Sequence, residues 1–251
     1  MIIVATITPD MAFPSTACIL QEKLGAKKAA AFDLSAACSG FIYGLANASS
    51  FIATGMYKHA LVIGAESLSR ITDYTDRNTC ILFGDGAGAV VLGEVPEGRG
   101  FRSFELGADG TGGHLLKIEG GGSRYPASAE SLEKKLHYIY MAGAEVFKFA
   151  VRIMGNAADE ALRKAGLTKN DIDLLIPHQA NIRIIQSSLN RLDLTEDKCM
   201  INLDKYGNMS AASIPVALAE AVESGRAKEG DCLVLVGFGG GLTWGAAALV
   251  L

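Results

Sequence analysis

An α/β fold follows from three observations along the 251 residues. Short β-branched apolar runs alternate with longer runs that carry apolar residues at helical spacing. The order is strand, helix, strand, helix, strand, which α/β units produce. The chain also repeats itself: at one constant offset Cys38 falls on Asn208, Gly55 on Gly225 and Ile3 on Asp173. Two copies of one unit account for this, with residues 1–95 as the first half and 96–251 as the second.

Each element has a local cause. Ile2 to Thr8 is apolar and β-branched, hence a strand that opens without a preceding turn or cap. Pro14-Ser15-Thr16 starts a helix over Ser15 to Leu24, and Gly25 stops it. Phe32 and Leu34 form a strand that runs into small residues, Ala36, Ala37, Ser39 and Gly40, around Cys38. From Gly40 to Thr54 the apolar residues Phe41, Leu45, Ala48 and Ile52 recur at turn-like spacing, so Cys38 sits where a strand hands over to a helix. Ala60 to Ala65 is the next strand. Gly84-Asp-Gly-Ala-Gly88 leads into strand Ala89 to Leu92. The second half opens with strand Phe101 to Leu106. A glycine-rich irregular stretch from Gly107 to Ala129 follows, then an amphipathic helix from Ala144 to Ala165, ended by Gly166. Asp171 to Pro177 reads as a strand, Asn181 to Leu192 as a helix, Met200 to Leu203 as a strand and Ser210 to Ser224 as a helix. Leu233 to Leu251 carries no charge and is long enough to cross a membrane, but five glycines divide it into two buried strands, Leu233 to Val236 and Trp244 to Leu251.

Composition narrows the function. With 23 basic against 27 acidic residues there is no basic excess to attract nucleic acid. Five cysteines without a C-x-x-C pair, and no cationic-then-apolar leader, point to a reducing cytoplasm. Cys18, Cys80, Cys199 and Cys232 read as buried or inert. The four histidines lack ligand spacing, so no metal site is expected. Cys38 differs in its position. The free N–H groups of a first helical turn favour a thiolate, so a strained, exposed, electropositive elbow is expected there; the bland alternative is a small buried hydrophobe. The repeat brings the paired elbows together, so Cys38 and Asn208 are expected to share one pocket. The second unit has a strand and a helix ahead of Asp173, whereas nothing precedes Ile2. An amino-terminal strand and helix are therefore expected to be missing, with Met1 internal to a longer protein.

Five motifs converge: the Cys38 elbow, Pro177-His-Gln-Ala-Asn181, Gly207-Asn-Met-Ser-Ala-Ala-Ser213, Arg77-Asn-Thr-Cys-Ile-Leu-Phe-Gly-Asp-Gly-Ala-Gly88 and Gly237-Phe-Gly-Gly-Gly-Leu-Thr-Trp-Gly245. With them the sequence closely resembles the β-ketoacyl-acyl-carrier-protein synthase III family, from Ile2 to Leu251. The resemblance implies a thiolase-like five-layered αβαβα sandwich of two pseudo-repeated halves, the first incomplete. It implies a cytoplasmic homodimeric acyltransferase that starts fatty-acid biosynthesis by decarboxylative Claisen condensation of acetyl-CoA, or a short acyl-CoA, with malonyl-acyl carrier protein. No cofactor is implied beyond the CoA thioester substrate, and no nucleic acid or membrane partner.

Cys38 is then the nucleophile. The backbone N–H groups of Cys38 and Gly240 suit its oxyanion, and His178 and Asn208 suit the enolate left by decarboxylation. By resemblance Arg77 meets the CoA adenine, Phe147 and Asn181 line the pantetheine channel, and Phe13 closes the acyl pocket across a dimer. Each has a plain alternative: a solvated charge for Arg77, core for Phe147 and Phe13, a helix cap for Asn181. Lys148, Arg183 and Arg191 are candidates for a basic rim that docks the carrier protein, or are merely solvated. Ala144 and Met209 depart from the family's usual residues. Family topology makes the missing strand central in its sheet, so a poorly folded or weakly active chain is expected. The alternatives are another thiolase-fold condensing enzyme (a polyketide starter synthase or a hydroxymethylglutaryl-CoA synthase type, the latter needing a carboxylate acid near Cys38), an inactive fragment, or a dinucleotide-binding module at Gly84–Gly88. That last signal is weak, because those glycines precede a strand instead of opening a helix.

Overall fold

The computed structural model describes residues 1–251. The first half runs β1 (Ile2–Ala5), α1 (Thr16–Lys23), β2 (Ala31–Leu34), α2 (Gly40–Ala53), β3 (His59–Ser67) and β4 (Asp85–Gly93). Its sheet has the order β2-β1-β3-β4, parallel except for β4. The second half runs β5 (Gly100–Ala108), β6 (Leu116–Lys117), α3 (Ala129–Glu133), β7 (Tyr140–Met141), α4 (Gly143–Ala165), β8 (Leu174–Pro177), α5 (Ile182–Leu192), α6 (Leu203–Tyr206), α7 (Ser213–Glu223), β9 (Cys232–Gly239) and β10 (Thr243–Val250). Its main sheet has the order β5-β10-β9-β8, and β6 pairs with β7 separately.

Alternation along each strand makes the layers. Ile3 and Val62 point inward to Phe41, Ile42 and Leu45 of α2 and to Ile214 and Leu218 of α7, where Leu174, Ile176, Leu233 and Leu235 of the second sheet join the same core. Ile2, Val4 and Ile63 point outward onto α1. Leu175, Val234 and Val236 point outward onto α4 and α5. Both faces of both sheets are covered, so the central strands read as unbroken apolar runs. The layers are α1, first sheet, α2 with α7, second sheet, α4 with α5: the five-layered αβαβα sandwich.

The repeat is real, but its offset drifts. Inward-facing Ile3 and Val62 correspond to inward-facing Ile176 and Leu235, which sets the equivalent strands slightly further apart along the chain than Cys38 is from Asn208. The 3-10 turns that open the paired helices, Ala37–Ser39 and Ser210–Ala212, keep the same separation as the strands. Gly55 and Gly225, at φ 72° and 71°, return to the shorter offset, because α7 has 11 residues where α2 has 14. Cys38 therefore corresponds in the backbone to Ala211, and Asn208 stands just before the second turn.

Other expectations are corrected. Met200 to Leu203 forms no strand: Cys199 makes a single bridge to Leu175, and the chain then coils into α6. Asp171 closes a capping box with Thr168, so β8 begins only at Leu174. β1 ends at Ala5: Thr6 N–H still donates to the Leu34 carbonyl at 3.1 Å, but Ile7 N–H turns away to the Glu66 carboxylate at 3.1 Å. Cys18 is exposed on α1, and Cys80 is half-buried. β5 is the outer strand of its sheet and pairs with β10 alone, so the position it marks in the repeat is an edge and not a sheet centre. No helix is long and apolar enough to cross a membrane.

Candidate active site

The two 3-10 turns meet between the sheets because glycine removes what would keep them apart. A Cβ on Gly239 would stand 2.5 Å from the Cys38 nitrogen, and one on Gly237 would lie 3.4 Å from the His178 Cβ and 3.5 Å from the Cys38 carbonyl oxygen. A Cβ on Gly64, across the pseudo-two-fold, would overlap the Ala211 carbonyl. Glycine is required here for close approach. The Gly84–Gly88 run has the same use: its glycines sit on Tyr206, Met209 and Pro215, and it continues as β4, not as a nucleotide loop.

Each functional side chain is fixed by its neighbours. Ala37 adopts φ 47°, a left-handed conformation that costs an L-residue about 1 kcal/mol and turns the chain sharply into α2. Ser39 Oγ donates to Thr243 Oγ1 at 2.8 Å, and Thr243 Oγ1 donates to the Ala36 carbonyl at 3.0 Å, which ties the Cys38 turn to the Gly239–Leu242 turn. His178 follows β8, with its N–H donating to the Val236 carbonyl at 2.8 Å and its ring edge-on to Phe238 with centroids 5.8 Å apart. Asn208 is clamped by the Leu82–Gly84 segment, donating to the Leu82 carbonyl and accepting from Gly84 N–H, each at 2.9 Å. Its Oδ1 accepts from Ser210 N–H at 2.8 Å, which leaves the Nδ2 hydrogens uncommitted.

Cys38 lines a cavity of about 420 Å³ together with Ser210, Phe83, Leu116 and Gly240; Asn208, expected in the same pocket, and His178 do not line it. The amides of Cys38 and Gly240 donate to no group of the chain, so two free N–H groups border this space. A larger apolar groove of about 750 Å³ runs along β4 and holds none of the chemistry. Cys38 is 8% exposed, and burial pushes its thiol up to about 12. This corrects the expectation of an exposed elbow that favours the thiolate: desolvation outweighs the short 3-10 turn. His178 is wholly buried, both ring nitrogens lack partners, and burial lowers its pKa to about 3, so the imidazole is neutral at every physiological pH.

The remaining candidates stand elsewhere. Arg77 is exposed in the loop before β4, and Phe147 is half-buried against the outer core of the second sheet. Asn181 caps α5, its Oδ1 accepting from Arg183 N–H at 2.9 Å. Phe13 is 85% exposed and outside its own chain's cavity. Lys148 and Arg183 are exposed, while Arg191 Nε donates to Asp159 at 2.9 Å. Sequence reading missed Glu66, which is buried beside the Ser210 turn. The signal was present: Ala60, Val62, Gly64 and Glu66 share the buried parity of β3, and an acid in that series needs an explanation.

A five-layered sandwich with a cysteine of one half against a histidine and an asparagine of the other defines a thiolase-fold condensing enzyme. Residues 32–110 match the family described as 3-oxoacyl-[acyl-carrier-protein] synthase III, and residues 162–251 match its C-terminal family. The β-ketoacyl-[acyl-carrier-protein] synthase III of Desulfitobacterium hafniense is 65% identical over 99% of this chain and 75% of that protein. The synthase III structure from Thermus thermophilus superposes with a TM-score of 0.93 at 52% identity, over 100% of this chain and 76% of that one. The priming β-ketosynthase of the R1128 polyketide pathway gives 0.89 at 37% identity, over 100% and 74%. The chain belongs to the 3-oxoacyl-[acyl-carrier-protein] synthase III family.

Proposed function

We propose that this chain condenses acetyl-CoA, or another short acyl-CoA, with malonyl-acyl carrier protein to give a β-ketoacyl-acyl carrier protein, the opening step of fatty-acid synthesis. The observation that carries this is the meeting of Cys38 with His178 and the Asn208–Ser210 turn across Gly237 and Gly239, beside a cavity bordered by two uncommitted amides. The Cys38 sulfur attacks the thioester carbonyl, and the oxyanion takes hydrogen bonds from the Cys38 and Gly240 amides. Collapse releases CoA and leaves acetyl-Cys38. Malonyl thioester then loses carbon dioxide, and the enolate oxygen accepts hydrogen bonds from neutral His178 and from Asn208 Nδ2. The enolate carbon attacks acetyl-Cys38, and the sulfur departs.

A hydroxymethylglutaryl-CoA synthase type of reaction requires a carboxylic acid facing the substrate. Glu66 turns its carboxylate oxygens to Thr6, Ile7 and Thr8, not to a substrate. Within the condensing reading, Phe13 is assigned to the pocket of a partner subunit in a homodimer, Arg77 to the CoA adenine, Phe147 and Asn181 to the pantetheine path, and Lys148, Arg183 and Arg191 to carrier-protein docking. A cytoplasmic location and no need for a metal or redox cofactor accompany it. Incubation with acetyl-CoA and intact-mass measurement tests the reading. The native chain gains one acetyl group and Cys38→Ala gains none; an unmodified native chain, or acetylation that survives the substitution, overturns it.

A further inference from the structure

Ser210 opens the second 3-10 turn at φ 47°, the conformation Ala37 adopts at the equivalent place. Its hydroxyl is buried and completes no hydrogen bond of its own. Such a group costs stability, and a catalytic role is one reason a fold keeps it. Ser210 shares the cavity wall with Cys38. On its other side lies Glu66, 5% exposed, whose carboxylate accepts from Thr8 Oγ1 at 2.7 Å, Ile7 N–H at 3.1 Å and Thr6 Oγ1 at 3.3 Å. β3 approaches the turn closely enough that Gly64 has no room for a side chain against Ala211. The Ser210 turn thus lies between thiol and carboxylate, with its hydroxyl fixed to neither, and burial pushes both of those groups up.

We propose that Glu66, acting through Ser210, holds the proton that Cys38 surrenders when it attacks the acyl thioester. The inference rests on the acyl-cysteine reading above. As the sulfur–carbon bond forms, the thiol proton passes to Ser210 Oγ and the Ser210 proton passes to Glu66. When the tetrahedral adduct collapses, the bond from carbon to the CoA sulfur breaks, and the CoA thiolate takes the proton back by the same path. The balance is a thioester exchange with no oxidant or reductant. Two observations favour Glu66 over His178 as the holder. His178 does not line the wall that Ser210 shares with Cys38, and burial lowers its imidazole to about 3, which makes it a poor proton acceptor. Charged Glu66 also raises the Cys38 thiol, so passing the proton to Glu66 avoids a second negative charge beside the first and keeps one buried charge before and after. Little else that titrates faces Glu66. Thr6, Ile7 and Thr8 carry no titratable group, nor does the Ser210–Ala212 turn, and Gly86 lies opposite on β4. Asp85, one residue along, is held by Ser69 N–H at 2.8 Å.

Glu66 is a positioning residue, so the test separates the two half-reactions. Single-turnover acetylation of Cys38 by acetyl-CoA is followed by intact mass from about pH 5 to 9, and condensation is followed separately by mixing pre-acetylated enzyme with malonyl-acyl carrier protein. Glu66→Gln is expected to slow acetylation about a hundredfold and to remove the acidic limb of its pH profile, while condensation by the pre-acetylated form changes little. Ser210→Ala, which leaves the Thr6–Thr8 shell intact, is expected to do the same, and Glu66→Asp to restore the limb. Equal loss in both half-reactions, or an acidic limb that survives Glu66→Gln and Ser210→Ala, overturns the relay. A native chain that takes no acetyl group overturns the parent reading instead.

Discussion

The two halves share one backbone device and fill it with different chemistry. In the register that lays inward-facing Ile3 on Ile176 and Val62 on Leu235, Ala5 takes the place of His178 and Glu66 that of Gly239. Around the end of β3 the first half is polar and closed, with Thr8 Oγ1 donating to the Glu66 carboxylate at 2.7 Å. After β8 the second half is aromatic and open: His178 packs edge-on to Phe238, and its nitrogens are left free. The turns differ in the same way. Ala37 and Ser210 take the same left-handed conformation, but the next residue is a cysteine in one half and an alanine in the other. The fold supplies two equivalent places for a reactive group. In the proposed reaction the side chains, and not the backbone, give the nucleophile's role to the first half and the enolate's to the second.

The strongest way to break that division is to remove the second half's donors one at a time. Asn208→Ala and His178→Ala are each expected to lower the condensation rate about a hundredfold, about 3 kcal/mol of barrier. Cys38 acetylation should stay within a few-fold of native, since the donors proposed for its oxyanion are the Cys38 and Gly240 amides. Separate rates for acetyl transfer and condensation check this; equal damage to both shows that the two halves do not divide the work.

The glycine pair sharpens the comparison through packing. Gly239→Ala places a Cβ 2.5 Å from the Cys38 nitrogen, and Gly64→Ala drives one into the Ala211 carbonyl. Backbone cannot yield as a flexible side chain does, so each is expected to cost about 1–3 kcal/mol. For a chain of this size that lowers Tm by about 2–4 °C per kcal/mol. Thermal unfolding should show a loss from each substitution, because each glycine lets its strand meet the backbone of the other half's turn. A Tm left unchanged by either one refutes the close approach at that turn.

How much of this was legible depends on what each feature rests upon. Helices with caps and glycine stops, such as Ser15 to Gly25 and Gly40 to Gly55, announce themselves locally, as do the two apolar strands around the Gly239–Gly241 turn. Cys38, His178 and Asn208 were legible because each falls at an element boundary inside a recognisable motif. Met200 to Leu203 misled because its apolar residues face a core from a coil, and a single bridge is all the sheet edge takes there. The depth of Cys38 was not legible either. Its burial comes from Gly237 and Gly239, near the opposite end of the chain, and no local pattern reports a neighbour of that kind. The shortening of α7 relative to α2 also hid from alignment at a fixed spacing, which put Cys38 on Asn208 when the backbone puts it on Ala211.

The open pair in the second half has a signature in acid. The folded chain holds His178 near pKa 3 while an unfolded histidine titrates near 6.5. The unfolded chain therefore binds the extra proton across that window, so stability is full above about pH 6.5 and falls as pH drops toward 3. Between pH 7 and pH 5 this one residue is expected to remove about 2 kcal/mol. Urea unfolding at the two pH values should show a drop that His178→Gln diminishes by that amount. An identical pH slope in the variant places the imidazole in contact with water and ends its description as a buried neutral donor.

The smallest effect expected concerns a surface that only the second half possesses, the exposed side of α4 and α5. Arg183 and Arg191 share α5, yet their situations differ. Arg191 is bound to Asp159 with their side chains 56% and 30% exposed, and its stem covers Gly155, whereas Arg183 is exposed and in no ion pair. An exposed pair of this kind is worth below about 1 kcal/mol, so Arg191→Ala is expected to alter stability slightly and substrate binding less. Arg183 is free to meet an acidic partner. Arg183→Glu is expected to raise KM for malonyl-acyl carrier protein about fivefold, near 1 kcal/mol, at low salt and to lose that effect as ionic strength rises. KM for acetyl-CoA should not move. If Arg191→Ala raises KM for the carrier-protein substrate more than Arg183→Glu does, the ion pair with Asp159 opens on docking, and the rim is centred nearer α4 than the free arginine indicates.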